Sequence, residues 1–186
     1  MPKDNFQNLV SDRIRIRRFA DGDAAAFRAY RNDPDVARYQ SWISYTDEEA
    51  AEFVAVMKST PVGIAGFDVQ LAIERHEDEL LIGDCYLAID RHERRQAEIG
   101  FTIARHCQGQ GYGTEAVTLL LDYLFDVLKL HRITATADTR NAASVALMER
   151  LGMRREAHFR KHLWFKGEWA DDYIYAILQE EWRPKR

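Results

Sequence analysis

Cysteine and long apolar runs are scarce in this chain, and each shortage excludes a class of protein. Its 186 residues include only two cysteines, Cys85 and Cys107, which are too few for a disulfide framework and belong to no Cys/His cluster with zinc-site spacing. No run of about 18 apolar residues is present, so the sequence predicts no membrane-spanning helix. Residues 1–13 contain no apolar signal core. We therefore expect a reduced, cytoplasmic and metal-free protein.

An excess of either charge is also missing. Lys and Arg number 26, Asp and Glu number 30, and the formal net charge is only −4. No basic surface is therefore expected to attract nucleic acid. The length is that of one domain with a sizeable core. We expect that domain to span residues 1–186, with its core between about residues 12 and 180.

What the sequence does contain is an alternation of strand-like and helix-like segments. Apolar periodicity and turn residues predict, in order, a strand at 13–17, helices at 21–31, 35–39 and 46–59, strands at 65–75, 80–89 and 98–104, a long helix at 114–130, a strand at 132–138, a helix at 141–151 and a hairpin of 153–165 and 169–178. Short turns between consecutive strands predict an antiparallel meander. The long helix predicts that the strands on either side of it are parallel, through a βαβ crossover.

The chain is organised around a turn that contains Gly109, Gly111 and Gly113. A strand runs into this turn and a helix leaves it. Glycine permits positive φ and close approach of another group, and the first N–H groups of a helix are unpaired and lie at the positive end of its dipole. Such a turn suits a phosphate or pyrophosphate. A P-loop would need Lys-Ser/Thr where Thr114-Glu115 stands, and a dinucleotide-binding fingerprint would need other glycine spacing.

The pattern Q-x-x-G-x-G from Gln108 to Gly113 resembles the pyrophosphate-binding motif of the GCN5-related N-acetyltransferases (GNAT). The order of the predicted elements is similar to theirs over almost the whole chain. Three segments, EIGF at 98–101, QGQGYGTEA at 108–116 and NAASVALMERLGM at 141–153, look like the RimJ/RimL branch, which acetylates ribosomal-protein N-termini. The resemblance implies an α/β (α+β) fold with a mixed central sheet of about seven strands, splayed between the fourth and the fifth, and helices on both faces. It also implies acetyl-CoA (coenzyme A) as the cofactor.

The resemblance assigns the cofactor to particular residues. Those that it implies for cofactor binding are Phe101, Thr102, Ile103, Gln108, Gly109, Gln110, Gly111, Tyr112, Gly113, Thr114, Asn141 and Ser144. Main-chain N–H groups of residues 109–114 would hold the pyrophosphate, with the side chains of Gln110 and Tyr112 directed to solvent or to the adenine side. Pantetheine would pair with the backbone of 101–103 like an added strand, which requires the neighbouring strand to diverge after Ala104. For Asn141 the alternative is a helix N-cap.

Transfer of an acetyl group to an amine requires a base, because a lysine-like amine with a pKa of about 10 is protonated at neutral pH. Glu98, on the strand of the predicted cofactor site, is the first candidate, although a surface carboxylate at a strand end would look the same. The other candidates are Asp138, His158 and His162, or a chain of water molecules. The two histidines are four residues apart and are predicted to share one face of their strand.

Two further groups complete the predicted chemistry. The oxyanion donor would be a main-chain N–H near Ile103. Many family members carry a tyrosine seven residues after the asparagine, placed to protonate the leaving thiolate. Here that position is Met148, which has no proton to give. The acid is therefore Ser144, water, or no group at all.

The acceptor pocket is expected to come from the variable helical section. Tyr39, Gln40 and Trp42 form its predicted wall, opposite Trp164 and Trp169, where aromatic rings would attract an ammonium group. The alternative is that Trp42 and Trp164 fill the core.

The predicted function is transfer of acetyl from acetyl-CoA to a primary amine, by direct attack in a ternary complex. The amine belongs either to a protein N-terminus or to a small molecule. The alternative is a non-catalytic acyl-CoA-binding module with the same fold. Family analogy also allows a homodimer through the last strands.

Overall fold

The computed structural model describes residues 4–182 of the chain. The strands are β1 (Leu9–Val10), β2 (Ile14–Arg17), β3 (Asp68–Arg75), β4 (Leu81–Ile89), β5 (Gln96–Ile103), β6 (Arg132–Asp138), β7 (Arg154–Phe165) and β8 (Glu168–Leu178). The helices are α1 (Ala24–Arg31), α2 (Pro34–Ala37), α3 (Asp47–Ser59), α4 (Tyr112–Asp122) and α5 (Ala142–Arg150), and α4 continues into a π-helical turn over Tyr123–Val127. The domain expected over residues 1–186 extends beyond the described residues at both ends.

The eight strands found within residues 4–182 belong to one mixed sheet with the order β1-β2-β3-β4-β5-β6-β8-β7. The antiparallel meander and the parallel pairing of β5 with β6 are both confirmed. The strand that the sequence did not predict is β1, in which only Leu9 and Val10 pair with β2. Two residues are too few for an alternating pattern to stand out, so this strand depends on its partner rather than on its own sequence.

Helices cover both faces of the sheet, as predicted, and each face carries its own apolar core. On one face, α4 and α5 pack on the odd-numbered side chains of β5 and β6, with Ile99, Ile133 and Leu120 almost fully buried. On the other face, α1 and α3 enclose a smaller core that includes Phe27 and Val54. Helix α3 begins at the predicted capping box, in which Thr46 and Glu49 exchange hydrogen bonds of 2.7 and 3.2 Å.

The parallel strands β5 and β6 part early. Only Gln96, Ala97 and Glu98 of β5 pair with β6. The expectation that the strands separate after Ala104 is therefore wrong, because the ladder already ends at Glu98. Each strand instead stays with its outer neighbour, since β5 pairs with β4 as far as Ile103 and β6 pairs with β8 as far as Asp138. A gap opens between the C-terminal halves of β5 and β6.

Candidate active site

The glycine-rich turn lies directly beyond the parted end of β5. After Ile103 the chain makes a 3-10 turn over Arg105–Cys107, and α4 begins at Tyr112. Gly109 and Gly111 have φ values of +74° and +87°, which are left-handed conformations that favour glycine. The unpaired N–H groups of the first turn of α4 follow immediately.

The third glycine has a different function. We expected α4 to start at Thr114, but Gly113 already lies inside the helix. A Cβ atom at Gly113 would approach Leu147 Cδ1 to 2.9 Å and Ile103 Cγ1 to 3.5 Å. This glycine therefore allows α4 to pack closely on α5 and β5, and it is not required for a positive φ.

Side chains fix the turn against the strand. Gln108 Nε2 donates to the carbonyl oxygen of Ile103 at 2.9 Å, and Gln110 Nε2 donates to the carbonyl oxygen of His106 at 2.8 Å. Gln110 is exposed, as expected. Tyr112 does not point to solvent, since it is 8% exposed and its ring lies 4.7 Å from the guanidinium carbon of Arg13. Because α4 starts two residues earlier than predicted, Tyr112 occupies a core-facing helical position.

A cleft of about 850 Å³ extends from the parted strands along this turn and along α5. Of the predicted site residues it is lined by Tyr39, Gln40, Phe101, Thr102, Ile103, Gln108, Gly109, Gly111, Tyr112, Gly113, Thr114, Asn141 and Ser144. Gln110, Trp42 and Glu98 do not line it. Residues that the sequence did not suggest also line it, among them Arg13, Asp35, Val36, Ala143, Leu147 and Arg150.

Asn141 and Ser144 lie together where α5 begins. Asn141 is the helix N-cap, and its Oδ1 accepts a hydrogen bond of 3.2 Å from the main-chain N–H of Ser144. Within residues 4–182, neither the Asn141 amide NH₂ group nor the Ser144 hydroxyl has a hydrogen-bond partner. Both groups are thus available in the cleft. Met148 is 1% exposed in the core and does not line the cleft.

Glu98 lies apart from the cleft. It is exposed and accepts a hydrogen bond of 3.3 Å from Thr136 Oγ1. Together with Asp68 and Thr134 it lines a separate depression of about 310 Å³. Its role as the base stays a prediction, because within residues 4–182 it lines this depression and not the cofactor cleft.

Two buried carboxylates face each other on the same side of the sheet as Glu98. Asp138 at the end of β6 is the register partner of Asp172 in β8, and Thr136, two residues before Asp138, contacts Glu98. Asp138 and Asp172 are only 7% and 8% exposed. Arg140 lies beside them, 5.9 Å from the centre of the Tyr39 ring that lines the cleft.

The pKa values of the two carboxylates are shifted in opposite directions. Burial acts to raise the pKa of Asp138, but two hydrogen bonds from the Arg140 side chain, of 2.9 and 2.7 Å, outweigh it and lower that pKa. Burial raises the pKa of Asp172, and the neighbouring Asp138 adds to the effect while His162 opposes it. Asp172 receives no hydrogen bond within the described part of the chain, and His162 Nε2 lies 3.6 Å from its Oδ2.

The two candidate histidines do not share a face. His158 lies against the ring of Tyr173 and 2.8 Å from Asp171, whereas His162 approaches Asp172, whose side chain points to the opposite face. The predicted common face is wrong because β7 bulges between Phe159 and Leu163, with Lys161 at a φ of +46°. A β-bulge interrupts the two-residue alternation of side chains, so residues on either side of it no longer keep the same face.

The predicted aromatic wall is only partly present. Trp42 is turned inward, where its Nε1 donates to the carbonyl oxygen of Arg31 at 2.9 Å and its ring centre lies 3.6 Å from the Arg31 guanidinium carbon. Trp164 and Trp169 pair with each other at 5.4 Å and are 60% and 56% exposed. The alternative that Trp164 fills the core is therefore also wrong.

A buried ion pair explains why Trp42 turns inward. Arg31 and Asp84 are 1% and 2% exposed and lie 2.7 Å apart, and the Tyr30 hydroxyl donates to the same carboxylate at 2.5 Å. Burial raises the pKa of Tyr30, and the charge of Asp84 raises it further. Asp84 is the register partner of Thr102, so this pair lies directly behind the strand that lines the cleft.

Two kinds of feature, a metal-binding cluster and a membrane-spanning helix, are not found among the described residues. Among residues 4–182, no three His, Cys, Asp or Glu side chains are placed to hold a metal ion. In the same part of the chain, no helix is both long and apolar enough to cross a membrane.

A parted pair of parallel strands that leads into a glycine turn and a helix N-terminus defines an acetyltransferase of the GNAT type. Residues 13–154 match the acetyltransferase (GNAT) domain family, and the chain belongs to this family. Members of the family use acetyl-CoA, so the protein is an acetyl-CoA-dependent acyltransferase.

Individual relatives agree with this assignment. The uncharacterized N-acetyltransferase YnaD of Bacillus subtilis (strain 168) is 35% identical over 177 residues, which cover 94% of this chain and 99% of the relative. A GNAT-family acetyltransferase from Bacillus anthracis, known as a crystal structure, is 32% identical with a TM-score of 0.84, over 94% of this chain and 100% of that one. The [ribosomal protein uS5]-alanine N-acetyltransferase of Escherichia coli (strain K12) is 32% identical over 88 residues, 47% of this chain and 45% of the relative. The resemblance to the RimJ/RimL branch is consistent with that last similarity.

Proposed function

We propose that this protein transfers the acetyl group of acetyl-CoA to a primary amine in the gap between β5 and β6, by direct attack in a ternary complex. The observation that supports this most is the continuity of the cleft. One cavity of about 850 Å³ joins the glycine turn, the parted edge of β5 and the start of α5. Such a cavity has room for the long cofactor and for an amine at its inner end.

In this proposal the cofactor is held mainly by backbone groups. The N–H groups from Gly109 to Thr114 bind the pyrophosphate, because the left-handed glycines and the helix N-terminus present several donors together. The free edge of Phe101, Thr102 and Ile103 pairs with pantetheine, since β6 has already left it. When bound, acetyl-CoA supplies a reactive thioester, and a main-chain N–H near Ile103 stabilises the charge that develops on its oxygen.

The amine must lose a proton, and we propose that Asp172 with His162 accepts it. Asp172 is buried and receives no hydrogen bond from the described residues. Arg140 already holds its neighbour Asp138. A carboxylate whose environment disfavours its charge is a better proton acceptor than one held by a guanidinium. Neither Asp172 nor the alternative, the sequence-based candidate Glu98, lines the cleft, and Asp172 is preferred because it is buried whereas Glu98 is exposed.

At the other end of the reaction, Ser144 is the proposed proton donor to the leaving thiolate. Its hydroxyl lines the cleft without a hydrogen-bond partner among the described residues. The unpaired amide NH₂ of Asn141 beside it is free to orient the cofactor. Because a coenzyme A thiol is a fairly good leaving group, we expect Ser144→Ala to slow the reaction rather than abolish it.

The acceptor enters past Tyr39 and Gln40, which line the cleft. The β7–β8 hairpin closes this side, because Lys166 Nζ donates to the carbonyl oxygen of Ala37 at 2.6 Å. We propose a protein N-terminal amine or a small-molecule amine as the acceptor. The name of the uS5-alanine acetyltransferase supports the first, and the carboxylates Glu98 and Asp172 on this face support a cationic amine of either kind.

The test is turnover of acetyl-CoA with pooled amines. N-terminal peptides form one pool and polyamines with amino acids form another, and release of free coenzyme A is measured together with the acetylated product by mass spectrometry. Acetylation in one pool supports the proposal and identifies the acceptor class. Tight acetyl-CoA binding with no acetylated product in either pool would contradict it and favour a binding module.

The base is tested by the pH dependence of the rate. Asp172 accepts a proton only when ionised, so the wild-type rate should rise with pH through the raised pKa of Asp172, whose charged neighbours are His162, Asp138, Asp171 and Arg140. Asp172→Asn should lower the rate by about 100-fold and remove this rise, whereas Glu98→Gln should keep it. The reverse pattern would assign the base to Glu98.

A further inference from the structure

Helix α5 runs along the cleft from its reacting end to its phosphate end. Asn141 and Ser144 lie at the start of the helix, and Leu147 and Arg150 follow on the same face, all lining the cleft. Each step of three residues falls about 60° short of a full turn, so these positions form a row that winds slowly around the helix as the cleft follows it. With a rise of about 1.5 Å per residue, Arg150 lies roughly 13 Å along the helix axis from Asn141. It therefore reaches the glycine turn, where its Nη1 donates to Thr114 Oγ1 at 3.0 Å.

Of the residues that the structure describes, two arginines line the cleft, and their partners differ. Arg13 approaches the turn from the β2 side and is already neutralised, since its Nε and Nη2 lie 2.7 and 2.5 Å from Glu115 Oε2. Its Nη1 also donates to the carbonyl oxygen of Gln110 at 3.1 Å. Arg150 has no carboxylate partner within residues 4–182; its one hydrogen bond is the uncharged contact to Thr114. Arg13 therefore supports the turn, whereas Arg150 keeps its full charge at the cleft edge.

The cofactor brings more anionic charge than the turn alone neutralises. Its pyrophosphate is satisfied by main-chain N–H groups, but coenzyme A also carries a 3′-phosphate, a phosphomonoester with a charge of about −1.5 to −2 at neutral pH. A guanidinium matches the geometry of such a group with two parallel hydrogen bonds. We infer that Arg150 binds the 3′-phosphate of coenzyme A and makes the cleft selective for the 3′-phosphorylated cofactor. This inference rests on the proposed function of the cleft as the acetyl-CoA site.

The inference is tested by binding, without turnover. Dissociation constants for coenzyme A and for dephospho-coenzyme A are measured by titration calorimetry with the wild-type protein, Arg150→Gln and Arg94→Gln. Arg94 is a matched control, because it is exposed, forms no ion pair among the described residues and lies before β5, at the end of that strand away from the cleft. Thermal unfolding of each variant checks that the fold is intact, since the Arg150 side chain is exposed.

The wild type should bind coenzyme A about tenfold more tightly than dephospho-coenzyme A, because a loss of that size is expected when one charge-assisted hydrogen bond is missing. Arg150→Gln should lose that preference and bind both ligands alike, and Arg94→Gln should keep it. If Arg150→Gln keeps the preference for coenzyme A, the inference is overturned. It is also overturned if Arg150→Gln loses affinity equally for both ligands, because that result would assign Arg150 to the pyrophosphate. If the wild type binds neither ligand, the proposed function of the cleft itself fails.

Discussion

The substitution Gly111→Val tests the cofactor cradle most directly. Gly111 has a φ of +87°, and a Cβ atom there would lie 3.3 Å from Arg13 Nη2. A β-branched residue in a left-handed conformation costs about 1–2 kcal/mol, so the backbone relaxes toward negative φ and turns the adjoining N–H groups away from the cleft. Loss of two charge-assisted hydrogen bonds, at about 1.5 kcal/mol each, weakens binding by about 3 kcal/mol. The dissociation constant for coenzyme A should therefore rise by about 100-fold.

The matched control is Gly167→Val. Gly167 has a φ of +89° with nothing within 4 Å of the added Cβ atom, and it lies in the turn between β7 and β8, outside the cleft lining. Both variants should lose similar stability in urea unfolding, but only Gly111→Val should lose affinity in calorimetry. Unchanged affinity in Gly111→Val, or an equal loss in both variants, would refute the assignment of this turn to the pyrophosphate.

Two further predictions concern charged pairs that hold the fold. Asp84→Asn should destabilise the protein by about 3–5 kcal/mol in urea unfolding, because it leaves the buried Arg31 without its counter-ion; a loss below about 1 kcal/mol would contradict this account. Hydrogen bonds from Arg132 and then Arg154 lower the pKa of Glu156 from 4.5 to about 2. Its ionised form therefore adds stability above about pH 4.5, and this stability is lost as the pH falls toward 2. After allowance for solvent screening, Glu156→Gln should cost about 1 kcal/mol at pH 7 and clearly less at pH 3; an equal cost at both pH values would contradict the linkage.

The sequence predicted most of the fold and most of the residues that line the cleft, because their signals are local. The capping box at Thr46, the strand–turn–helix around Gly111 and the asparagine that opens α5 each depend on a few adjacent residues. The spacing of α5 did not indicate Arg150, because six residues are about 1.7 helical turns and leave it well round the helix from Ser144. Arg13 had no local signal either, because it meets Glu115 across 102 residues of sequence.

The acceptor side could be predicted much less well, for physical reasons. Trp42 has the aromatic side chain expected of a pocket residue, yet the buried charge of Arg31 attracts its ring inward. Nothing near Trp42 in the sequence indicates that this charge is buried beside it. The alternation of β7 is interrupted by a bulge that no glycine or proline announces, so His162 changes face. Asp172 gains its perturbed pKa only from burial beside Asp138, which is distant in sequence.

The early separation of β5 and β6 also decides how the cleft forms. Gly83 of β4 lies so close to β5 that a Cβ atom there would be 2.1 Å from the carbonyl oxygen of Thr102. The next residue, Asp84, forms a buried ion pair with Arg31 of α1. The β5 wall of the cleft is therefore supported by its pairing with β4 and by the buried ion pair of Arg31 with Asp84, and neither Arg31 nor Asp84 lines the cleft. Substitutions at Gly83 should therefore displace β5 at Thr102 and Ile103, narrow the cleft and weaken coenzyme A binding, although Gly83 itself does not line the cleft.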